Sequence, residues 1–237
     1  MFSLKNYQQR AVNALSAFLT RCQGGTAVAD AFRETLAIQE VQDAEKWIYR
    51  DHGFDQVPYV CIRIPTGGGK TILGSHAVDV AARQYQQTDY PIALWLVPTN
   101  TIRLQTVEAL KTPGHPYRAH LDKAFKHQVL VLDIDEVTQI RPQDIGGKAI
   151  VIVSTLANLR VNDTSGRKVY AYHENFEPHF AKIPPNHPGL ARCERVGKSD
   201  IQENGLSASE IGKVKYSFAN LLALYGPIVI VDEAHNA

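Results

Sequence analysis

The run Ile64-Pro65-Thr66-Gly67-Gly68-Gly69-Lys70-Thr71 decides how the rest of this chain is read. It follows a short apolar run, Tyr59–Ile64, and precedes Thr71–Tyr85, where apolar residues recur at helical spacing. Glycines between a strand and a helix let backbone N–H groups close around an anion, because no side chain blocks the approach. In such a cradle Pro65, Thr66, Gly67, Gly68 and Gly69 supply backbone. Lys70 supplies a compact positive charge for β- and γ-phosphates, and the Thr71 hydroxyl a ligand for Mg2+. The general pattern places Gly where this chain has Ile64. On these residues alone, a glycine turn at a helix start with a solvated Lys70 also stands.

Outward from this loop, Ile92–Val97, Val129–Leu132, Ala149–Val153 and Ile228–Val231 share the character of Tyr59–Ile64. Each is short, rich in Val and Ile, and apolar at odd and even positions alike, the pattern of a parallel strand buried on both faces. Helical stretches lie between them at Arg103–Lys111, His120–Lys126 and Glu210–Leu224, the last with Ser207 at capping-box spacing from Glu210. The alternation predicts an α/β fold, a mainly parallel sheet with helices on both faces. Before the loop, Leu4–Thr20 reads as a helix and Ala27–Arg50 as one or two more, with Phe32, Leu36, Ile38, Val41, Trp47 and Ile48 as core contacts. The expected organisation is a helical segment over 1–58 and a nucleotide-binding lobe over 59–237. Arg160–Ser209 has little periodicity and reads as an insertion, part loop and part small subdomain. Because it lies between motifs, shortening it is expected to leave nucleotide binding intact.

The strand Ile228–Val231 runs into Asp232-Glu233-Ala234-His235. Its tip would lie at the ligand edge of an open α/β sheet. There Asp232 would hold Mg2+ and Glu233 would orient or deprotonate a water. Adjacent carboxylates after a strand also serve as helix caps.

Composition narrows the classes. The chain has 237 residues, 44% hydrophobic and 21% charged, with a formal net charge of +1, so bulk charge gives no case for nucleic acid. Cys22, Cys61 and Cys193 are widely separated, which suits a reducing, cytoplasmic setting. The N-terminus lacks a leader pattern, and the longest apolar run, Leu221–Val231, is interrupted by Gly226-Pro227, so no membrane span is expected. His173, His179, His187 and Cys193 match no compact metal-ligand spacing. Tyr170, Tyr172 and Phe176 could stack bases or anchor the insertion on the core.

Pro65–Thr71 taken with Asp232–His235 resembles the first two motifs of superfamily 2 helicases and translocases, near their DEAH-type members. In detail the chain looks most like the helicase (Res) subunit of type III restriction enzymes. That family accepts an apolar residue where Ile64 stands. The resemblance implies a RecA-like P-loop NTPase using ATP and Mg2+, with Lys70, Asp232, Glu233 and His235 as catalytic residues. Leu4-Lys5-Asn6-Tyr7-Gln8 resembles the family's opening helix, in which the residue matching Gln8 reads the adenine edge. Pro98-Thr99-Asn100 and Ser154-Thr155 resemble the two loops that touch the nucleic-acid backbone; Ser, Thr and Asn after strands are also ordinary caps. The implied activity is ATP-driven movement on nucleic acid, DNA in preference to RNA, in a restriction or defence system with a nuclease or methylase subunit as partner. A P-loop ATPase that remodels a protein partner without nucleic acid is the second class open on these residues.

The resemblance also implies a further strand between those of the two motifs and a C-terminal motor lobe that brings arginines to the γ-phosphate. On that expectation residues 1–237 are an incomplete first motor lobe, poorly active alone.

Overall fold

Four of the five apolar runs form one sheet, and the fifth does not. In the computed structural model β1 (Ile92–Val97), β2 (Val129–Asp133), β3 (Ala149–Thr155) and β4 (Ile228–Val231) lie in the order β2-β3-β1-β4. Every pairing is parallel. The structure describes residues 3–39, 41, 43–51, 53, 57–65, 67–159 and 168–232. Residues 57–65, expected to include a strand, contain no regular element, and Tyr59 and Ile62 are exposed. A strand is made by its ladder as much as by its side chains. Among the described residues no strand ladder includes 59–64, and the ladder of β4 is with β1.

The chain divides into two compact units, Met1–Asp89 with Thr112–His127, and Tyr90–Lys111 with Gln128–Ala237. In the first, α1 (Asn6–Gln23) packs on α2 (Val28–Ile38) and α3 (Lys70–Ala81). Leu15, Phe18 and Leu19 recur at helical spacing and form a core with Ala31. Phe32 extends it, its ring edge-on to Phe18 at 6.3 Å and tilted on Tyr49 at 5.5 Å. The expected core stops there. Ile38, Val41, Trp47 and Ile48 are exposed, because α2 ends at Ile38 and the chain beyond leaves its period.

The second unit carries the sheet. A helix, α4 (Asn100–Lys111), packs on β1, β2 and β3. In the first unit again, α5 (Pro116–Ala124) lies on α3. There His76 and His120 stack at 3.5 Å, and His120 Nε2 lies 3.3 Å from Asp79. Burial, with the neighbouring His120, pushes His76 down to about 4.

Within the expected insertion, the described residues 168–209 contribute to the second unit's core. After α6 (Leu156–Leu159) come α7 (Glu177–Phe180), α8 (Lys198–Asn204) and short 3-10 turns. Val169, Phe176, Phe180 and Cys193 join Ile92, Leu94, Leu96, Ile150 and Ile152 in one buried cluster. These side chains cover one face of the sheet. Tyr170 donates to Leu159 O at 2.8 Å and Tyr172 lies tilted on Tyr216 at 5.7 Å. These aromatics anchor the segment.

The final helix, α9 (Phe218–Tyr225), starts later than expected. Ser207 caps only a 3-10 turn over Ala208–Glu210, and Gly212 at φ 80° stops any helix from running through. Ser217 is the cap that is used, accepting from Asn220 N–H at 3.2 Å. No helix among the described residues is long and apolar enough to cross a membrane.

Candidate functional site

The glycine loop is built within the first unit. Gly68 N–H donates to Pro65 O at 2.9 Å, closing a turn, and α3 begins at Lys70 with Gly69 as its N-cap. The three glycines are needed for different reasons. Gly67 has φ 75° in open space. At Gly68 a Cβ would come within 2.4 Å of Ile64 Cγ2 and 2.8 Å of Pro65 O. Gly69 combines φ 77° with a Cβ position 2.6 Å from Gln8 Nε2. A backbone this bare, opening a helix whose first N–H groups lack intrahelical partners, fits a polyphosphate. Pro65, Gly67, Gly68, Gly69, Lys70 and Thr71 sit together at this helix start, while Thr66 lies outside the described residues.

Gln8 is 3% exposed and its amide is occupied on both sides. Its Nε2 donates to Gly68 O at 2.7 Å, and its Oε1 accepts from Lys5 N–H at 2.8 Å. Tyr7 donates its hydroxyl to the same Gly68 oxygen at 2.9 Å. The residue expected to read adenine is thus turned onto the loop itself.

In the second unit all strands run the same way, so their C-terminal tips share one edge. Val97 pairs in register with Thr155, Leu96 with Val231, and Asp133 with Val153. This brings Pro98-Thr99-Asn100, Ser154-Thr155 and Asp232 to neighbouring strand ends. Asp232 N–H continues the β4 ladder, donating to Leu96 O at 2.8 Å. Glu233, Ala234 and His235 lie outside the described residues.

Thr99 and Asn100 are exposed; Thr99 Oγ1 accepts from Ile102 N–H at 3.3 Å, as a helix cap does. Ser154 and Thr155 are buried, and Ser154 Oγ donates to Thr155 O at 3.1 Å. Of these loop residues, Thr99 and Asn100 offer surface and Ser154 and Thr155 shape the floor.

One group at this edge escaped the reading of the sequence. Asp133, at the tip of β2, pairs with Arg103 of α4, which also reaches Asp135 at 3.3 Å. Lys111 holds Glu136 at 2.6 Å, and this hydrogen bond draws the Glu136 carboxyl below its usual range. The signal was present: Asp133-Ile134-Asp135-Glu136 follows an apolar strand much as Asp232-Glu233 does.

The histidines between residues 173 and 187 serve the backbone. His173 Nδ1 accepts from Asn175 N–H at 3.2 Å and His187 Nδ1 from Gly189 N–H at 3.1 Å. His179 is buried with Nε2 at 3.0 Å from Ile140 O.

A family model described as the type III restriction enzyme, res subunit, matches residues 1–237. No curated protein and no solved structure matches the chain.

Proposed function

This chain belongs to the type III restriction enzyme res-subunit family, a helicase-like superfamily 2 group of ATPases, and from that premise we propose that it powers movement along DNA by hydrolysing ATP. The observation that carries the reading is the glycine loop opening α3, whose backbone admits no side chain at Gly68 or Gly69. Helicase-like ATPases of this kind use ATP with Mg2+. The polyphosphate would lie on the loop Pro65–Thr71, with Lys70 as the fixed cation. Thr71 and Asp232 would hold Mg2+, which when bound neutralises phosphate charge. Glu233 would accept the proton of the attacking water, and His235 would complete that group. Thr99 and Asn100, with Pro98, would meet phosphates of one strand without reading its bases, over a floor set by Ser154 and Thr155. The domain organisation we propose is a helical segment over 1–58 and a RecA-like lobe over 59–237 with an insertion at about 160–209. A role in restriction or defence, beside a nuclease or methylase subunit, follows from the same reading.

Lys70→Ala is expected to abolish the thermal shift given by Mg-ATP, because the phosphates lose their principal cation. An undiminished shift would sink the assignment. Adding DNA to the wild-type protein tests the motor reading against an ATPase that remodels proteins. Turnover stimulated by DNA supports the first, and indifference to DNA and RNA supports the second.

A further inference from the structure

Tyr7 and Gln8 are adjacent residues on the first turn of α1, and both donate to one oxygen, the carbonyl of Gly68. A carbonyl has two lone pairs, and here both are engaged by side chains some sixty residues away in sequence (|i−j| of 61 and 60). The peptide bond that follows is trans. In a trans peptide the C=O and the next N–H point in opposite directions. Fixing the Gly68 oxygen toward α1 therefore fixes the Gly69 N–H away from α1.

The neighbouring donor cannot substitute for it. Gly68 N–H is already turned onto Pro65 O at 2.9 Å. The loop's glycines impose no preferred orientation of their own, since glycine has the widest backbone freedom of any residue. Something outside the loop must hold the 68–69 peptide plane. The only side-chain atoms that bond it among the described residues are Tyr7 Oη and Gln8 Nε2. Gln8 is itself held, with its Oε1 on Lys5 N–H at 2.8 Å, so the amide is locked in the orientation that presents Nε2.

We propose that Tyr7 and Gln8 are positioning residues that clamp the Gly68 carbonyl and so aim the Gly69 N–H into the phosphate cradle. They act on the polyphosphate part of any nucleotide and are indifferent to its base. The inference rests on the reading of Pro65–Thr71 as a phosphate loop, and it departs from an adenine-reading role for Gln8.

The test uses three ligands with Mg2+: ATP, GTP and inorganic tripolyphosphate, which has no base. Affinities are measured by calorimetry on wild type, Tyr7→Phe, Gln8→Ala and Gln8→Glu, with thermal unfolding checked for each. Losing one hydrogen bond of ordinary strength weakens binding on the order of fivefold, so Tyr7→Phe and Gln8→Ala should each weaken all three ligands by about that factor. The ratio of ATP to GTP affinity should stay at its wild-type value. Gln8→Glu adds a readout that a merely structural role would not move. Ionised, the carboxylate faces the Gly68 oxygen with acceptors only; protonated, it regains a donor. Relative to wild type at each pH, its tripolyphosphate affinity should be poor near neutrality and recover in acid.

Unchanged tripolyphosphate binding in Tyr7→Phe and Gln8→Ala, with ATP alone weakened, would overturn the clamp and return Gln8 to the base. Should a Gln8 variant fail to fold, Tyr7→Phe decides alone, because it removes one hydroxyl from a half-buried side chain. Failure of the wild-type protein to bind either ATP or tripolyphosphate would instead overturn the phosphate-loop reading, and the clamp with it.

Discussion

Two stretches of this chain are irregular in structure and differ in outcome. The segment from Ile38 to Ile62 leaves Ile38, Trp47, Ile48, Val57 and Tyr59 exposed, with Ile48 at 80%. The segment from Val169 to Ser217 buries Val169, Phe176, Phe180, Cys193 and Val196, with Phe176 at 1%. Among the described residues, neither has long helices or strands to organise it. The second lies on the face of a finished parallel sheet, and its apolar side chains close that face. Its polar groups are also answered: Asn220 bonds Glu194 and Lys215 backbone oxygens at 2.9 and 2.7 Å, and Lys215 reaches Glu194 and Asp200 at 3.1 and 3.3 Å. A surface to pack on, more than a periodic pattern, decides which irregular chain becomes core.

The contrast can be broken most severely by shortening residues 168–209. That should unfold the second unit, since one sheet face would lose its cover; a cooperative, native-like melt of the shortened protein would refute the packing argument. Phe176→Ala is expected to cost about 3–5 kcal/mol in urea unfolding, the range for a fully buried aromatic. Asn220→Ala should cost about 1–3 kcal/mol, because it strands the Lys215 carbonyl in a buried hydrogen bond and the carbonyl and amide of Glu194 in part-buried ones. Acid gives a smaller and reversible effect in the first unit. The neutral form of His76 is favoured by folding, so the unfolded chain takes up its proton first. Stability is therefore full above about pH 6.5 and falls as pH drops toward about 4, where the folded form also protonates. Thermal melts from pH 7.5 to 4 should show this limb, and His76→Leu should flatten it. Trp47→Ala anchors the scale at the low end: at 58% exposure it should change stability by less than about 0.5 kcal/mol.

The same contrast explains what the sequence could and could not convey. Strands β1 to β4 were legible because a run apolar on both faces has few places to go but the middle of a layered fold. Tyr59–Ile64 has that composition too, yet a strand needs a neighbour's N–H and C=O groups, and composition does not carry those. The start of α9 differs because Ser217 and not Ser207 caps it, and the bar to the longer helix is the conformation of Gly212, not its identity. For the site, residue types placed the glycine loop and the strand-tip Asp232. They did not convey that Gln8 faces Gly68, which depends on how α1 lies against α3. Nor did they convey the Arg103–Asp133 pair, which depends on how α4 lies against the tip of β2.

The glycine triplet has a last consequence, for how this chain can drift. Gly67 is constrained by backbone conformation alone, so Asn, which visits the left-handed region, is a tolerable neighbour in sequence space. Gly68 is constrained by volume alone, with a backbone carbonyl that cannot step aside. Gly69 is bound by both, and the atom that a Cβ would strike belongs to Gln8. Single substitutions at Gly67 therefore leave a path open, those at Gly68 close it, and any at Gly69 would require a coordinated change on the opening helix. Three identical letters in a row thus have three different evolutionary fates.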